Sequence, residues 1–539
     1  MDHLPDWLTP LPDAETMRGI DRWAIEQRGI DGLELMERAG AAVTRAVEAL
    51  RPDGAVAVMC GKGNNGGDGL VAARLLREAG REVSVICVAD PHEFSGDARA
   101  NLERLPGPAP VRLDGCAWSG EQGAEGPDTA AAGWGGPGLV VVDALLGTGF
   151  AGEPRGAVVQ AIEAAARAGS PVVSVDVPSG VDASSGVIAG AAVRADVTVT
   201  FHAGKPGLWI NPGKQHAGRT QTVDIGIPRG APADAAVGLI GAAVIQALPR
   251  RGASGTKFTS GQVIVVGGSR GLTGAPAMAA RAAMRAGAGY VTVFTPVSLQ
   301  PILAAAGTPE MMTRGLAEQD GSLAAAAAGE VLAATGGRRA ALGLGPGLGR
   351  SDGAFAVARE LARDCGLPMV LDADGLNAHA GRLEQLSSRR AGTVLTPHAG
   401  ELGRLLQRDS ADIEAERLAA VRTAAEQAGA VVVLKGDDSL VADPTGRVAV
   451  SPGGSPALAT AGTGDVLTGV IAALLAQGLD AFTAACAGVW VHACAGREAA
   501  RRLGAVEGVI ATDVIEALPA ARGGAGAAPT EATAGGAGA

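Results

Sequence analysis

The sequence predicts an α/β protein of two domains, and two observations lead to that class. Short runs rich in Val and Ile alternate with segments of helical periodicity along most of the chain, which is typical of parallel sheets covered by helices on both faces. The chain has 539 residues, which is too long for a single hydrophobic core. A Pro/Gly/Ala stretch at 227–236 has the character of a linker. We therefore expect one domain over 1–230, a second over 231–520, and a disordered, low-complexity tail over 521–539.

The first domain opens with helical patterns over 13–50, after which strands and helices alternate. Its candidate strands are the apolar runs 55–60, 82–88, 139–143, 172–176 and 196–200. The glycine-rich stretch 115–138 is expected to form a surface loop. In open α/β sheets, ligands bind beyond the carboxyl ends of the strands. Polar and glycine residues that directly follow these runs are therefore the candidates for a functional site.

The second domain repeats the alternation without repeating the sequence, and a long helical region follows residue 465. Its candidate strands are 262–266, 290–294, 340–344, 369–372, 393–396 and 430–434.

Composition and charge exclude several classes of function. The net charge is −11 and the sequence contains no basic block, which argues against nucleic acid as a partner because phosphate binding needs clustered Lys and Arg. The longest apolar segment, 466–479, is too short to span a bilayer. None of the six cysteines forms a C-x-x-C pair, so we expect buried, reduced thiols. Together these features predict a soluble cytoplasmic protein.

The stretch "GKGNNGGDG" at 61–69 lies between a strand candidate and a helix candidate. Its glycines fit G-x-G-x-x-G, and Asp90 follows the next strand, where a dinucleotide-binding loop would have its ribose ligand. The polar cluster of Asn64, Asn65 and Asp68 is unusual for such a loop and favours a cation or a polar ligand. A tight turn built from asparagine and glycine is a third interpretation.

Two further strand ends, "DALLGTGFAGEPRG" and "DVPSGVD", place oxygen ligands on the same edge of the predicted sheet. Asn65, Asp143 and Ser179 each offer the oxygen that a hard cation prefers, whereas the sequence has no Cys/His cluster for zinc. Asp176 ends an apolar run, so burial of its carboxylate would suit it to proton transfer. Capping of the turn before Pro178 is the alternative role.

These motifs, with "TFHAGKPGL" and "DIGIP", resemble the NAD(P)H-hydrate epimerase domain over residues 10–228. The resemblance implies a Rossmann-like three-layer sandwich that binds NADH or NADPH whose nicotinamide ring has taken up water. It implies a K⁺ ion held by Asn65, Asp143 and Ser179, and acid–base catalysis by Asp176. The implied contacts with the hydrated dinucleotide are Asn64, Asn65, Gly66, Gly67, Asp68, Gly147, Thr148, Gly149, Phe150, Ala151, Gly152, Glu153 and Asp176.

In the second domain, "ATAGTGDVLTG" at 459–469 runs from small residues directly into a helix. The backbone N–H groups of Gly462, Thr463, Gly464 and Asp465 can then face an anion, aided by the positive end of the helix dipole. Asp465 is placed to take a proton from a hydroxyl that is about to receive a phosphoryl group. The alternative is an aspartate that only caps its helix.

Other strand ends of this domain carry polar residues, and 267–276 and 343–349 add glycine-rich loops. The polar residues are Asp372, Asp374, Asn377, His398, Glu401 and Lys435. Taken alone, His398 would more often be structural and Lys435 solvated. The absence of G-x-x-x-x-G-K-[ST] from the sequence disfavours a P-loop fold.

The set "GGSRGLTGAP", "GLGPGLG", "LDADGLN", "TPHAGE", "KGDDS" and "AGTGD" resembles the NAD(P)H-hydrate dehydratase family over 240–518, which implies a ribokinase-like α/β domain. Ser439 stands where the family pattern led us to expect threonine, and "SGTKFTSG" lacks an expected histidine before its lysine. The implied contacts with the hydrate are Gly347, His398 and Asp465. Those with ADP (or ATP) and its Mg²⁺ are Lys435, Gly436, Asp437, Asp438, Ser439, Gly462, Thr463 and Gly464.

The two resemblances together imply a bifunctional enzyme of metabolite repair, expected to be a homo-oligomer. It would epimerise R- and S-NAD(P)HX and dehydrate the S form while ADP is converted to AMP and phosphate. The main alternative is a vitamin- or sugar-type kinase with a regulatory first domain. A non-catalytic first domain and a plain NAD-dependent dehydrogenase are further alternatives.

Overall fold

The chain forms two compact units within the part that the computed structural model describes. That part comprises residues 4–113, 138–231, 234–335, 339–524 and 526. The first unit takes Pro10–Val237, and the second takes Gly238 onward together with the short segment Leu4–Thr9, which enters strand β1 (Leu8–Pro10). This segment lies within the predicted first domain by sequence but belongs to the second unit in space.

The sheet of the first unit is parallel and has the order β4-β3-β2-β5-β6-β7-β8. Its strands are β2 (Val56–Cys60), β3 (Val83–Cys87), β4 (Val111–Arg112), β5 (Val140–Ala144), β6 (Val172–Val175), β7 (Val197–Phe201) and β8 (Arg219–Val223). Every predicted strand of this domain is confirmed. The chain runs outward in one direction from β2 and in the other from β5, so the strand order reverses between these two neighbours, where open α/β sheets bind ligands.

Helices cover both faces of this sheet. They are α1 (Ala14–Arg22), α2 (Gly32–Leu50), α3 (Asn64–Glu78), α4 (Gly96–Glu103), α5 (Ala157–Ala168) and α6 (Lys214–Ala217), with a π-helical turn at Trp23–Gln27. Alternate residues of β2 enter different cores: Val56 and Val58 pack in one apolar cluster, and Ala57 and Met59 pack in another. The predicted Rossmann-like three-layer sandwich follows from this alternation and from the strand order.

The second unit has a mixed sheet in the order β1-β9-β20-β19-β18-β17-β16-β15-β10-β11-β12. The strands not yet given are β9 (Val237–Ile240), β10 (Gln262–Val266), β11 (Tyr290–Pro296), β12 (Met311–Leu316), β13 (Glu318–Gln319), β14 (Ser322–Leu323), β15 (Ala340–Leu344), β16 (Met369–Leu371), β17 (Thr393–Leu395), β18 (Val431–Leu434), β19 (Leu440–Ala442) and β20 (Val448–Val450). Strands β10 to β12 and β15 to β18 pair in parallel, whereas β18, β19 and β20 pair antiparallel. The predicted strands are confirmed, and the order reverses between β10 and β15.

The helices of the second unit include α15, which is buried along almost its whole length and packs against α7 and α16. The helices are α7 (Gly274–Arg285), α8 (Gln300–Ala306), α9 (Ala327–Ala334), α10 (Asp352–Asp364), α11 (Asp374–Asn377), α12 (Ala399–Leu406), α13 (Ser410–Ala415), α14 (Arg417–Ala428), α15 (Thr463–Ala476), α16 (Ala481–Leu503) and α17 (Ala511–Arg522). The predicted helical region after residue 465 is confirmed as α15 to α17. Among the described residues, no helix combines the length and the apolar character needed to cross a bilayer.

Two predictions fall largely outside the described residues: the glycine-rich loop, of which 114–137 is not described, and the tail, of which 525 and 527–539 are not described. Five of the cysteines lie in the described part, and all five are buried free thiols, as expected.

Candidate active sites

A cavity of about 830 Å³ lies at the switch point of the first unit. Its wall combines the loops that follow β2, β5 and β6 with residues of α1 and α2. The first turn of α3 lies on this wall, so Asn64, Asn65 and Asp68 all face the cavity. A cavity of this size at this place in the fold is typical of a small-molecule site.

Asp176 follows β6 and forms a buried ion pair with Lys205 at the bottom of this cavity. The Lys205 Nζ donates to Asp176 Oδ1 at 2.6 Å, and the lysine is only 1% exposed. Thr148 and Thr200 also donate to the Asp176 carboxylate, the latter at 3.1 Å. Burial alone would raise the pKa of Asp176, but the charge and hydrogen bond of Lys205, with the other donors, outweigh burial and lower it. Asp176 is therefore an ionised base at neutral pH.

Two further carboxyl groups face the same cavity, and their pKa values are raised and not lowered. Burial, reinforced by the negative charges of Asp176 and Asp21, raises the pKa of Asp68 well above its usual range despite the opposing charge of Lys205. Burial also raises the pKa of Asp21, with Lys205 opposing and Asp176 reinforcing the shift. A base and neighbouring acids with separated pKa values are the arrangement that proton transfer requires.

A chain of oxygen atoms lies behind the cavity wall. Ser179 Oγ donates to Asp143 Oδ1 at 2.5 Å, and the Ser179 N–H donates to Oδ2 at 2.9 Å. Asn65 Nδ2 donates to the Leu146 carbonyl at 2.9 Å, and Ser179 Oγ lies 3.3 Å from that same carbonyl. Asp143 is fully buried and makes no ion pair with any described residue, and burial raises its pKa although the hydrogen bonds from Ser179 and Ser174 oppose the shift. The structure thus brings together Asn65, Asp143 and Ser179, the residues predicted to hold a cation.

The remaining predicted contacts of the first unit divide into two groups. Gly147, Thr148, Gly149 and Phe150 line the cavity with Asn64, Asn65, Asp68 and Asp176. Gly66, Gly67, Ala151, Gly152 and Glu153 are not part of its wall.

Packing accounts for the glycines of α3 that do not line the cavity. A Cβ on Gly66 would lie 1.8 Å from the Gly61 carbonyl oxygen, and one on Gly67 would lie 2.6 Å from the Met36 sulfur. Asp90, which is not part of the cavity wall, caps the turn Pro91–Glu93 and accepts from Arg112, a wall residue, at 3.0 Å.

The second unit places its polar residues around the start of α15, at the carboxyl edge of the parallel strands. Gly462, with φ of 90°, turns the chain into the helix, and the first intrahelical bond runs from the Val466 N–H to the Gly462 carbonyl. The N–H groups of Thr463, Gly464 and Asp465 precede that bond and have no partner within the helix. Free N–H groups at a helix start are suited to an anion, which is the role that the sequence predicts for this turn.

Lys435, which directly follows β18, joins two carboxylates beside this helix end. Its Nζ lies 3.0 Å from Asp372 Oδ1 and 3.5 Å from Glu401 Oε2. Thr468, one turn into α15, donates to Asp372 Oδ2 at 2.7 Å. A Cβ on Gly464 would lie 3.7 Å from the lysine Nζ. Because residue 464 is a glycine, no side chain lies against the charged group at this point.

Asp465 is the carboxyl group that this network perturbs most clearly. Burial, reinforced by the negative charges of Asp372 and Glu401 and opposed by Lys435, raises the pKa of Asp465 to about 7. A general base is most effective when its pKa is near the working pH. The group is thus poised to accept a proton, and no ion pair with another described residue neutralises it.

The residues of the loop Lys435–Ser439 differ in exposure and in the direction of their side chains. Gly436 and Asp437 are exposed, and Ser439 Oγ donates to the Gly436 carbonyl at 2.8 Å. Asp438 is fully buried, and its Oδ2 accepts from Arg417 Nε at 3.0 Å. The Asp438 side chain therefore anchors the loop, and contact with a nucleotide would have to come from its backbone.

Gly347 and His398, predicted to contact the hydrate, lie in two further loops of this edge. Gly347 has φ of 62°, and its carbonyl accepts from Ser269 Oγ at 3.0 Å, so this loop is fastened to the glycine-rich loop 267–276. His398 is exposed and caps α12, where its Nδ1 accepts from the Gly400 N–H at 3.0 Å. The structure keeps its ring available to solvent.

Sequence reasoning missed two residues of the first site, Lys205 and Asp21. Lys205 lies in the quoted stretch "TFHAGKPGL", which begins at the end of β7, so the rule that directs attention to strand ends could have found it. Asp21 comes from α1, outside the strands, and the sequence contains no signal that would bring it to the cavity.

Two doubly wound α/β units, each with a perturbed aspartate near a lysine at the carboxyl edge of its sheet, define a two-site enzyme. The family model described as NAD(P)H-hydrate dehydratase matches residues 263–520, and the model for the YjeF-related protein N-terminus matches residues 32–207. The bifunctional NAD(P)H-hydrate repair enzyme of Moorella thermoacetica is 41% identical over 520 residues, which cover 94% of this chain and 96% of that protein. The enzyme of the same name from Escherichia coli K12 is 34% identical and is covered to 92%.

The chain belongs to the family of bifunctional NAD(P)H-hydrate repair enzymes. The predicted α/β fold, with a Rossmann-like first unit and a ribokinase-like second unit, and the predicted enzymatic function in metabolite repair are confirmed. Among solved structures, the ADP/ATP-dependent NAD(P)H-hydrate dehydratase of Bacillus subtilis, co-crystallised with ATP and Mg²⁺, is 28% identical. The matched region comprises 52% of this chain and 94% of the Bacillus subtilis chain, and the TM-score is 0.45.

Proposed function

We propose that the first unit interconverts R- and S-NAD(P)HX and that the second unit dehydrates the S form with ADP as phosphoryl donor. The observation that carries this proposal is the position of Asp465, a half-buried carboxyl group with a pKa of about 7 at an anion-binding helix end. A carboxylate beside an incoming phosphoryl group would be repelled unless it had a proton to take. This position therefore suits a base that acts on the accepting hydroxyl.

Dehydration begins from a poor leaving group, the hydroxyl of the hydrated ring. Asp465 takes the hydroxyl proton while the oxygen attacks the terminal phosphoryl group of the nucleotide, whose bond to the leaving nucleotide breaks. The N–H groups of Thr463 and Gly464 stabilise the charge on the transferring group. The ring nitrogen then expels phosphate, and loss of a proton from the neighbouring carbon restores the dihydronicotinamide.

Lys435 is suited to hold a nucleotide phosphate in this site. Its ammonium faces Gly464, which carries no side chain. Burial opposes the charge of Lys435, but the two carboxylates to which it bonds outweigh burial and raise its pKa. Mg²⁺ bound with the nucleotide would neutralise the phosphates. Asp372 and Glu401 already bond to Lys435. We therefore expect the nucleotide phosphates, and not these two carboxylates, to supply most of the ligands of that ion.

Epimerisation is assigned to the cavity of the first unit, with Asp176 as the base. Lys205 keeps this carboxylate ionised, and Asp68, whose pKa burial raises well above its usual range, is the candidate to return a proton. The cavity of about 830 Å³ is large enough for the nicotinamide end of a dinucleotide and more.

The oxygen cluster around Asp143 suits a K⁺ ion. The Ser179 hydroxyl lies within hydrogen-bonding distance of the Asp143 carboxylate and the Leu146 carbonyl, and the Asn65 amide nitrogen donates to that carbonyl. The charge of Asp143 has no cationic partner among the described residues. A monovalent cation would compensate that charge and fix the loop Leu145–Thr148 at the cavity wall.

Thermal unfolding in K⁺, Na⁺ and Li⁺ tests the proposed K⁺ site. Tm should be highest in K⁺, and Ser179→Ala should remove the difference between the salts.

We also place the protein in the cytoplasm, where NADH, NADPH and ADP are found and where its buried thiols stay reduced. A homo-oligomer is expected from the family resemblance. Cell fractionation and light scattering of the purified chain test these two proposals.

The decisive experiment incubates the full chain with both hydrate epimers and either ADP or ATP. Absorbance of the restored reduced nicotinamide reports dehydration, and release of AMP or ADP identifies the donor. ADP should support the faster reaction, and the R epimer should be consumed through the S form. Accumulation of a stable phosphoester instead of reduced nicotinamide would favour the kinase alternative and overturn the proposal.

A further inference from the structure

A second cavity lies at the far end of α15, within the second unit. Its volume is about 420 Å³. Helix α15 begins with the anion-binding turn before Asp465 and ends at Ala476, and the next residue, Gln477, lines the cavity. A helix of this length spans about 20 Å, so the cavity is separate from the candidate dehydratase site.

Three arginines line this cavity, and we call it the arginine cavity: Arg250, Arg251 and Arg522. Among the described residues, its wall contains no aspartate or glutamate. Burial, together with the like charges of Arg251 and Arg250, lowers the pKa of Arg522. Positive charges that crowd each other without a carboxylate, in a chain of net charge −11, create a strong local attraction for an anion.

Backbone carbonyls hold two of the guanidinium groups in place. Arg522 donates to the Ala286 carbonyl at 2.5 Å and to the Pro249 carbonyl at 3.0 Å. Arg251 Nη2 donates to the carbonyls of Gly287 and Ala288 at 3.3 and 3.2 Å. The carbonyls of Ala286, Gly287 and Ala288 follow the end of α7, so capping of that helix is one role of the two arginines.

Capping does not use all the donors of this cluster. Each guanidinium carries five N–H groups, and the bonds just described engage only the terminal nitrogens of Arg522 and one nitrogen of Arg251. Within the described residues, Arg250 makes no hydrogen bond or ion pair. The remaining donors of Arg251 and Arg522 sit on groups that backbone carbonyls already hold in place, which lowers the entropy cost of binding an anion.

Apolar residues also line the arginine cavity: Ile245, Leu248 and Pro249. A free phosphate ion would fill only a small part of about 420 Å³ and would leave these residues uncovered. We infer that the arginine cavity binds a phosphomonoester that carries an apolar ring, such as a mononucleotide, with the phosphate on the arginines and the ring on the apolar residues. Arginine is suited to this because its planar donors match phosphate oxygens in pairs.

Calorimetric titration of the full chain with AMP, adenosine and inorganic phosphate at low ionic strength tests this inference, which does not rest on the proposed reaction. Wild type should bind AMP at two sites per chain, the nucleotide site and the arginine cavity. The double variant Arg250→Gln/Arg251→Gln should lose one site or weaken it at least tenfold. The matched control Arg99→Gln/Arg363→Gln removes the same charge from exposed helix positions and should keep both sites.

Three outcomes would overturn the inference. One is the absence of AMP binding to wild type, and another is retention of every AMP site at full affinity in the arginine variant. The third is inorganic phosphate or adenosine binding as tightly as AMP, since either would remove the combined recognition of phosphate and ring. If the double variant is less stable than wild type, the single variant Arg250→Gln carries the test because it breaks no bond within the described fold.

Discussion

At the scale of single residues, each candidate site combines an aspartate with a lysine, but the pKa of the aspartate is lowered in one site and raised in the other. Asp176 bonds directly to Lys205, so its pKa is lowered in spite of burial. Asp465 feels Lys435 only at a distance because Asp372 and Glu401 engage that lysine, and its pKa rises to about 7. The position of one ammonium group thus decides whether a buried carboxyl group is ionised throughout the neutral range or titrates within it.

Replacement of Asp465 by asparagine should abolish dehydration and leave epimerisation intact. The amide cannot accept the hydroxyl proton, and loss of the base should lower kcat by about 10²–10⁴-fold. Absorbance of restored NADH from S-NADHX measures dehydration, and chromatographic separation of the epimers measures epimerisation. Asp364→Asn, an exposed position on α10, is the matched control. Dehydration at a near wild-type rate in the Asp465 variant would refute the assignment.

The pH dependence of dehydration should report the ionisation of Asp465. Since the base must be unprotonated and its pKa is about 7, kcat/KM should fall about tenfold per pH unit below 7 and level off above it. Epimerisation should not show this limb, because the pKa of Asp176 is lowered. Coincident profiles for the two activities would contradict the assignment of two separate bases.

The raised pKa of Asp465 also affects stability, which should fall as the pH rises, whereas activity should increase. The folded pKa of Asp465 lies above the usual value of 3.8, so the folded state holds this proton more tightly than the unfolded state does. The resulting stabilisation is present below about pH 4 and is lost as the pH rises through about 7. Asp465→Asn should therefore raise Tm at pH 8 and change it little at pH 4.

Lys205→Gln should impair epimerisation at neutral pH. Without the lysine, burial dominates and the pKa of Asp176 rises, so the rate at pH 7 should drop at least tenfold and recover partly at higher pH. The shift in the pH profile separates this effect from a structural one, and Tm measured in parallel reports the cost of breaking a buried pair, about 3–5 kcal/mol. Lys214→Gln is the control in the same unit. An unshifted profile would exclude Lys205 from control of Asp176.

The sequence predicted the residues of these sites better than their pairings. Strand ends could be located because parallel strands are continuous apolar runs, and that placed Asp143, Asp176 and Lys435 at the correct edges. The partners could not be predicted in the same way. The bond of Asp176 to Lys205 and that of Asp438 to Arg417 depend on side-chain direction across different elements. No local pattern encodes that direction.

At the scale of elements, the start of α15 separates glycines needed for folding from glycines needed for chemistry. Gly462 has φ of 90°, and a Cβ there would lie 2.6 Å from the Met278 side chain. A Cβ on Gly464 would meet only ordinary contacts, at 3.7 Å from Lys435 Nζ and 3.9 Å from Asp372 Oδ2. The first glycine shapes the turn, whereas the second keeps open the space that we assign to the transferring phosphoryl group.

Alanine variants at these two positions should therefore have contrasting effects. Gly464→Ala should leave Tm near wild type and reduce dehydration at least tenfold, because the methyl group occupies the space in front of Lys435. Gly462→Ala should lower stability by about 1–3 kcal/mol through backbone strain. Calorimetric unfolding and the NADH assay measure the two effects. Full dehydratase activity in Gly464→Ala would show that the phosphoryl group does not approach this helix end.

At the scale of the whole molecule, the two units do not divide the chain at a single point. Leu4–Thr9 belongs to the second unit, where β1 is hydrogen-bonded to β9 at one end of the sheet. Leu8 is 3% exposed and packs in the same core as Ile240 and Val244. The sequence did not predict this, because a three-residue strand has too few residues to show a period.

Leu8→Ala should destabilise the second unit by about 2–5 kcal/mol, the range for truncation of a buried leucine. Its epimerase kinetics should be unchanged, because the residue packs in the core of the second unit. Denaturant unfolding with dehydratase and epimerase activity as separate probes measures the effect. Equal loss of both activities along the unfolding curve would show that Leu8 supports the whole chain and not the second unit alone.

The split of the second unit also dictates an order of events during synthesis. The amino terminus leaves the ribosome first, yet the strand beside which it lies is made only after the entire first unit has been translated. The nascent chain must therefore hold its first few residues unpaired while the Rossmann-like unit folds, and complete the sheet edge later. A gene cut between the two units would leave that edge strand attached to the wrong protein.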